Sequence, residues 1–272
     1  MILQNRLLKV SFFVPALKKV VSLFVVLVIL SSCADKEDLY TDRSVEDLYN
    51  MAMDLFETRT YVRAAKAFAE VERQHPYSNW ALKAQVMSAY CYYEAKKYDE
   101  AIEAFNLFIQ LHPGHPDVAY AYYMIALSYY EQIPIIERDQ KPAEDSLKAF
   151  QTIITRFPTS AYAKDATFKI DFIQDHLAGK EMNVGRYYQK QGGYIAAINR
   201  FKTVVEQYQR TSHVPEALHR LVECYFALGL KSEAQAAAAV LGHNFPDSEW
   251  YKDSYRLMQG KHIESSQGSA KP

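Results

Sequence analysis

The sequence predicts an all-α protein, a superhelical solenoid of about five helix pairs. Three observations carry that expectation: only 9 Gly and 10 Pro among 272 residues, an aromatic share of 14% that includes 21 Tyr, and a block that returns at an offset of 37 residues. Sparse turn formers with abundant rings suit packed helices and exclude collagen-like, disordered and loop-rich sandwich chains.

The chain opens with a leader. Residues 1–32 hold Arg6, Lys9, Lys18 and Lys19 and no acid, and residues 20–30 are a nearly unbroken apolar run of 11. A spanning helix needs about 20 such residues, whereas 7 to 15 behind a basic segment describe the core of a secretory signal. Leu30, Ser31, Ser32 and Cys33 follow. An aliphatic residue, two small ones and a cysteine resemble the lipobox of bacterial lipoproteins. The expectation is therefore a cleaved signal peptide over 1–32, lipid attachment at Cys33 and a lipidated tether over 33–43; an uncleaved anchor is the alternative. Acyl chains on Cys33 and the amino terminus meet the two-chain requirement for lasting attachment, so the membrane is engaged by the lipid anchor only. Ala34 stands where many such families carry an Asp that retains them in the inner membrane. The resemblance thus favours the periplasmic face of the cell outer membrane.

Beyond residue 44 the chain repeats. Tyr61, Ala64, Ala65 and Phe68 recur as Tyr98, Ala101, Ile102 and Phe105, each Phe followed eight residues later by proline, Pro76 and Pro113. Further copies run Ser146, Phe150, Ile153, Pro158; Ala197, Phe201, Val204, with Gln209 in the proline slot; and Ala234, Ala238, Leu241, Pro246. The first helix of each pair has its own echo. Small or medium residues at Ala52, Ala89, Ala126, Gly185 and Val222 precede by three a larger one at Leu55, Tyr92, Tyr129, Tyr188 and Tyr225. Spacings of three and four mark one helix face. Small residues let paired helices approach, rings fill the gap, and proline stops the second helix because it cannot continue the ladder. The pattern resembles the tetratricopeptide repeat, a helix-turn-helix unit whose common period is 34, so longer turns between pairs are expected.

Two insertions break the period. Eight extra residues fall in 133–142, bounded by Pro134 and Pro142, and predict a loop. Fourteen extra residues lie between Pro158 and Gly185, with apolar Ala166, Ile170, Ile173 and Leu177 keeping the helical period. They predict one long helix from about Ser160 to Lys190, with Gly179 as a point of bending or breakage. The resulting division is 44–158 for substrate-facing repeats 1–3, 159–258 for the long helix and partner-docking repeats 4–5, and 259–272 for a polar, disordered tail.

Past residue 32, 27 Lys and Arg stand against 32 Asp and Glu, a net charge near −5 without a basic patch. Nucleic acid is excluded as a partner on that basis. The chain holds no glycine-rich phosphate loop, nucleophile elbow or His-Glu-x-x-His, so no catalytic residue, metal site or cofactor is expected and the protein reads as no enzyme. His112 and His115 sit among Pro113, Gly114 and Pro116, which places them in a turn rather than a metal site. Cys91 and Cys224 share one register three repeats apart, too far to bridge, and read as apolar fillers. Tyrosines crowd the first helices of repeats 2 and 3. Half should pack between helices, while Tyr90, Tyr93, Tyr122, Tyr123 and Tyr129 are the candidates for a groove that takes an extended, partly apolar peptide.

The lipobox, five repeats, the insertion in the third and the long helix before the fourth together resemble the BamD (ComL) family of β-barrel assembly lipoproteins across the mature chain. Local strings agree: Arg156 through Tyr162, Asp165 to Thr167, Arg186 to Tyr188 and Ala197 to Arg200. The resemblance implies a non-catalytic scaffold that docks on the POTRA domains of BamA through its C-terminal repeats, engages unfolded outer-membrane proteins through its N-terminal repeats, and works alongside other Bam lipoproteins. It also implies that Arg200 contributes to the BamA contact; a solvated charge beside Phe201 is the alternative. Two other functions fit a repeat protein. A pilotin-like lipoprotein for secretin or type IV pilus assembly would have more regular 34-residue repeats, and a soluble periplasmic adaptor would not need Cys33.

Overall fold

The computed structural model describes residues 43–259, and among them are eleven α-helices. They form five successive antiparallel pairs: α1 (Val45–Glu57) with α2 (Tyr61–Gln74), α3 (Asn79–Glu94) with α4 (Tyr98–Leu111), α5 (Val118–Tyr130) with α6 (Lys141–Arg156), α7 (Ala161–Lys190) with α8 (Tyr194–Gln207), and α9 (Val214–Ala227) with α10 (Lys231–Asn244). A last helix, α11 (Glu249–Met258), packs on α9 and α10. It covers the end of the stack, as terminal elements of repeat proteins do. The signal peptide, the lipidated Cys33, most of the tether and all but the first residue of the 259–272 tail lie outside the described residues.

The spacing rules translate directly into packing. Phe68, Phe105, Phe150 and Phe201, on the second helices of the first four pairs, are fully buried, as are Ala52, Ala89 and Ala126 opposite the first three, and Val222 of the fifth pair. Each such ring removes enough apolar surface from water to stabilise by about 2–3 kcal/mol. Gly185 takes the small position in the fourth pair because a Cβ there would meet the Phe201 ring at 2.5 Å. In the fifth pair the ring position is Ala238, and Tyr251 of α11 presses on Gly242 instead. Serines at the starts of α1, α3, α7 and α11 (Ser44, Ser78, Ser160, Ser248) accept first-turn amide hydrogen bonds that would otherwise be orphaned.

In every pair but the third, the turn between the helices has one position at positive φ. Gly192 and Gly229 fill it in the last two pairs, but Arg59 and Lys96 fill it in the first two, both at φ 58°. The insertion after α5 is an ordered loop. Buried Gln140 donates its side-chain amide to the carbonyls of Ile135 and Arg138, each at 3.0 Å. Pro142 is not part of that loop. It lies in the first turn of α6, where the missing N–H has no helical partner to lose.

The long helix runs unbroken for 30 residues, about 45 Å. Gly179 neither bends nor ends it. Instead Gly179 is buried where the insertion loop and the α8–α9 loop converge, and a Cβ there would lie 3.3 Å from both Ile136 and His213. The first half of α7 packs on α5 and α6 through Ala163, Ala166 and Ile173, and the second half meets α8 and α9 through Ala178 and Met182.

Candidate functional site

The first helices of the pairs present two different surfaces. On α3 and α5 the surface is aromatic. Tyr90 and Tyr93 stack at 6.2 Å, Phe56 lies 6.0 Å from Tyr90, and Tyr98 lies 5.7 Å from Tyr93. Tyr123 stacks on Tyr162 of α7 at 5.0 Å and donates a 2.6 Å hydrogen bond to Asp165. A hydrogen bond to Glu94, aided by burial, pushes the Tyr90 hydroxyl up to about 12, and burial does the same for Tyr93. Burial, reinforced by Asp165, raises Tyr123 as well. These three rings stay neutral donors throughout the ordinary pH range.

Tyr122 and Tyr129 lie seven apart and so on one face of α5. The Arg156 guanidinium stands 4.9 Å over the Tyr122 ring and donates to its hydroxyl, and Phe157 lies 5.6 Å away. Tyr129 packs half-buried on the cluster of Phe105 and Ile125. Thus Tyr90 stacks with Tyr93 and Tyr123 with Tyr162, all five candidate tyrosines border one apolar cluster, and Tyr122 turns toward the end of α6.

On α7 and α9 the corresponding surface is ionic. Arg186 reaches both Glu216 carboxylate oxygens at 3.1 Å, Arg220 pairs with Glu216 at 3.4 Å and Glu223 at 2.8 Å, and Gln189 donates to Glu223 at 2.9 Å. Beneath them, buried His219 bonds Ser254 at 2.8 Å through Nδ1 and sits 3.4 Å from Glu223 through Nε2. Trp250 covers this group, 5.3 Å from the His219 ring and 5.5 Å from the Arg220 guanidinium. Burial alone would raise the Glu223 carboxyl, but the hydrogen bond and charge of His219, with Arg220 and Gln189, carry it down to about 2.

Arg200 lies on α8, exposed, with its guanidinium 3.1 Å from Glu181 of α7. Exposed Ile195 precedes it on the same helix. The sequence named Arg200 but not Glu181, because a partner 19 residues away on another helix leaves no local signal. It also missed Phe168 and Phe172, 67% and 57% exposed on α7, the latter 5.8 Å from Tyr130. Their spacing of four, off the buried face of Ala166 and Ile170, was the available signal. Cys91 and Cys224 are free and buried, with burial pushing both thiols up to about 12. His115 accepts from the Asp117 amide at 3.2 Å within its turn. No group of three metal-ligating side chains exists among the described residues, and no helix among them is long and apolar enough to cross a membrane.

Stacked helix pairs bearing an aromatic face and an ionic face define a helical-repeat protein. Residues 41–241 match the YfiO family, described as outer membrane lipoprotein. The chain is 46% identical to the outer membrane protein assembly factor BamD of Caulobacter vibrioides, over 84% of this chain and 76% of that one. It is 44% identical to BamD of Rickettsia prowazekii, over 88% and 95%. Among solved structures it is similar to a TPR repeat protein of Bacteroides fragilis, at 16% identity and a TM-score of 0.46 over 81% of this chain and all of the other. The chain belongs to the BamD/YfiO family of outer membrane lipoproteins, and it is a non-enzymatic scaffold.

Proposed function

We propose that the protein is a lipid-anchored scaffold of outer-membrane β-barrel assembly. Cys33 carries the lipid and holds the body at the periplasmic face of the outer membrane. The C-terminal repeats, with Arg200 on their surface, dock on the POTRA domains of BamA. The N-terminal repeats engage unfolded outer-membrane proteins through the aromatic face of Tyr90, Tyr93 and Tyr123, with Tyr122 and Tyr129 at its margin. Other Bam lipoproteins share the complex.

One observation carries this reading: a family match that runs from the first repeat into the fifth coincides with a change in the first-helix surface, aromatic in repeats 2 and 3 and ionic in repeats 4 and 5. Half-buried tyrosines suit an extended, partly apolar chain, since each ring offers a flat apolar face and a hydroxyl at little entropic cost. A charged surface instead favours a folded partner of fixed complementarity. The test is purification of the lipidated protein from membranes in mild detergent. A stoichiometric barrel protein with POTRA domains supports the proposal, whereas a secretin without such a barrel overturns it in favour of the pilotin-like alternative.

A further inference from the structure

The residue after the proline slot of each repeat sits at the tip of the turn leading to the next pair. In order these residues are Tyr77, Gly114, Thr159, Arg210 and Asp247, and all five are exposed. Only the first is aromatic, and it is fully exposed. Three residues on, Trp80, one of only two tryptophans in the chain, is half-buried with the Lys83 ammonium 5.3 Å above its ring. At the corresponding edge of the second repeat, Leu111 closes α4 with half its surface exposed.

This rim adjoins the point where the tether enters. Trp80 packs 4.7 Å from Tyr49, which stands five residues inside the Ser44 cap of α1. Ten residues separate Cys33 from Ser44. Ten residues reach at most about 35 Å. A lipid on Cys33 would therefore leave Ser44 at most about 35 Å of chain from its anchor. Tyrosine and tryptophan with a snorkelling lysine are the side chains that settle at the headgroup level. A contact too weak to hold a free protein becomes effective once the anchor makes it intramolecular.

We infer that Tyr77 and Trp80, with Lys83, form a membrane-resting edge that touches the phospholipid surface in which Cys33 is anchored. The contact fixes which side of the solenoid faces the bilayer. It rests on the reading that Cys33 is lipidated.

The test uses the full lipidated chain carrying Trp250→Phe, so that Trp80 is the sole indole, reconstituted in phosphatidylcholine vesicles containing a shallow, headgroup-proximal spin-labelled lipid. Trp80 fluorescence is quenched, Tyr77→Ser lowers that quenching about twofold or more, and adding Asp247→Tyr to Tyr77→Ser does not restore it. Thermal unfolding unchanged in Tyr77→Ser separates lost contact from lost fold. If the lipidated protein floats with vesicles yet Trp80 is quenched no more than in Tyr77→Ser, the edge does not rest on lipid and the proposal falls while the anchor stands. A loss of unfolded-protein capture in Tyr77→Ser with quenching intact also overturns it, by making Tyr77 a peptide contact. Flotation of Cys33→Ala with vesicles removes the anchor reading, and the proposal with it.

Discussion

The Arg200 guanidinium on α8 stands 3.1 Å from the Glu181 carboxylate on α7, so this exposed cation already has an internal partner. An exposed pair of this kind contributes about 0–1 kcal/mol to stability, and a docking protein would compete for it or share it. Charge reversal at Arg200 alone therefore mixes two effects, loss of a partner contact and repulsion from Glu181. The double swap Arg200→Glu with Glu181→Arg separates them. Both Arg200→Glu and the swap are expected to weaken co-purification of the POTRA-bearing partner, while the swap unfolds within about 1 kcal/mol of wild type. Binding restored by the swap would make Arg200 a purely structural residue.

Gly185 faces the Phe201 ring with no room for a methyl group. Gly185→Ala is expected to destabilise by about 1–3 kcal/mol through overpacking, read as a lower midpoint in thermal or urea unfolding. Gly114→Ala, at a turn with open space around the Cα, should move the midpoint little.

Lys96 holds φ 58° at the turn position that Gly192 and Gly229 occupy in later pairs. Lys96→Gly should raise stability by up to about 1 kcal/mol, since glycine reaches that region without strain. Gly229→Ala should lower it by a similar amount, and differential scanning calorimetry measures both.

Glu223 has a carboxyl held at about 2 in the folded chain, against an ordinary value of 4.5. A depressed carboxylate stabilises fully above its unfolded value, and the contribution is lost as the pH falls toward the folded one. Stability should thus decline from about pH 5 to pH 2, and Glu223→Gln should flatten that part of the profile while lowering stability at pH 7. An equal slope in both proteins would mean that the His219, Arg220 and Gln189 contacts do not hold the charge.

Much of the fold was legible because its determinants are local and periodic. Phe68 and Phe105 share a register that any helix enforces, and Pro76 and Pro113 end helices through their own rings and missing N–H groups. The long helix was legible from Ala166, Ile170, Ile173 and Leu177 alone. Gly179 is not a breaking point because glycine's cost in a helix, about 1 kcal/mol, is offset by the two neighbours, Ile136 and His213, that require its smallness. The candidate surfaces were legible only in part. Tyr90 and Tyr93 lie on one helix, so their proximity follows from spacing. Whether Tyr122 faces the groove depends on Arg156, 34 residues away, and Arg186 finds Glu216 across 30 residues. Such pairs are made by the stacking of helices and leave no trace in a single sequence.

The proposed division of labour along one solenoid is tested most directly by site-specific photo-crosslinking in native outer membranes. A crosslinker at Lys202, beside Arg200, is predicted to capture a POTRA-bearing barrel protein, and one at Tyr93 to capture unfolded outer-membrane proteins during their synthesis. Capture of the same partner from both positions, or of neither class from either, would contradict the account.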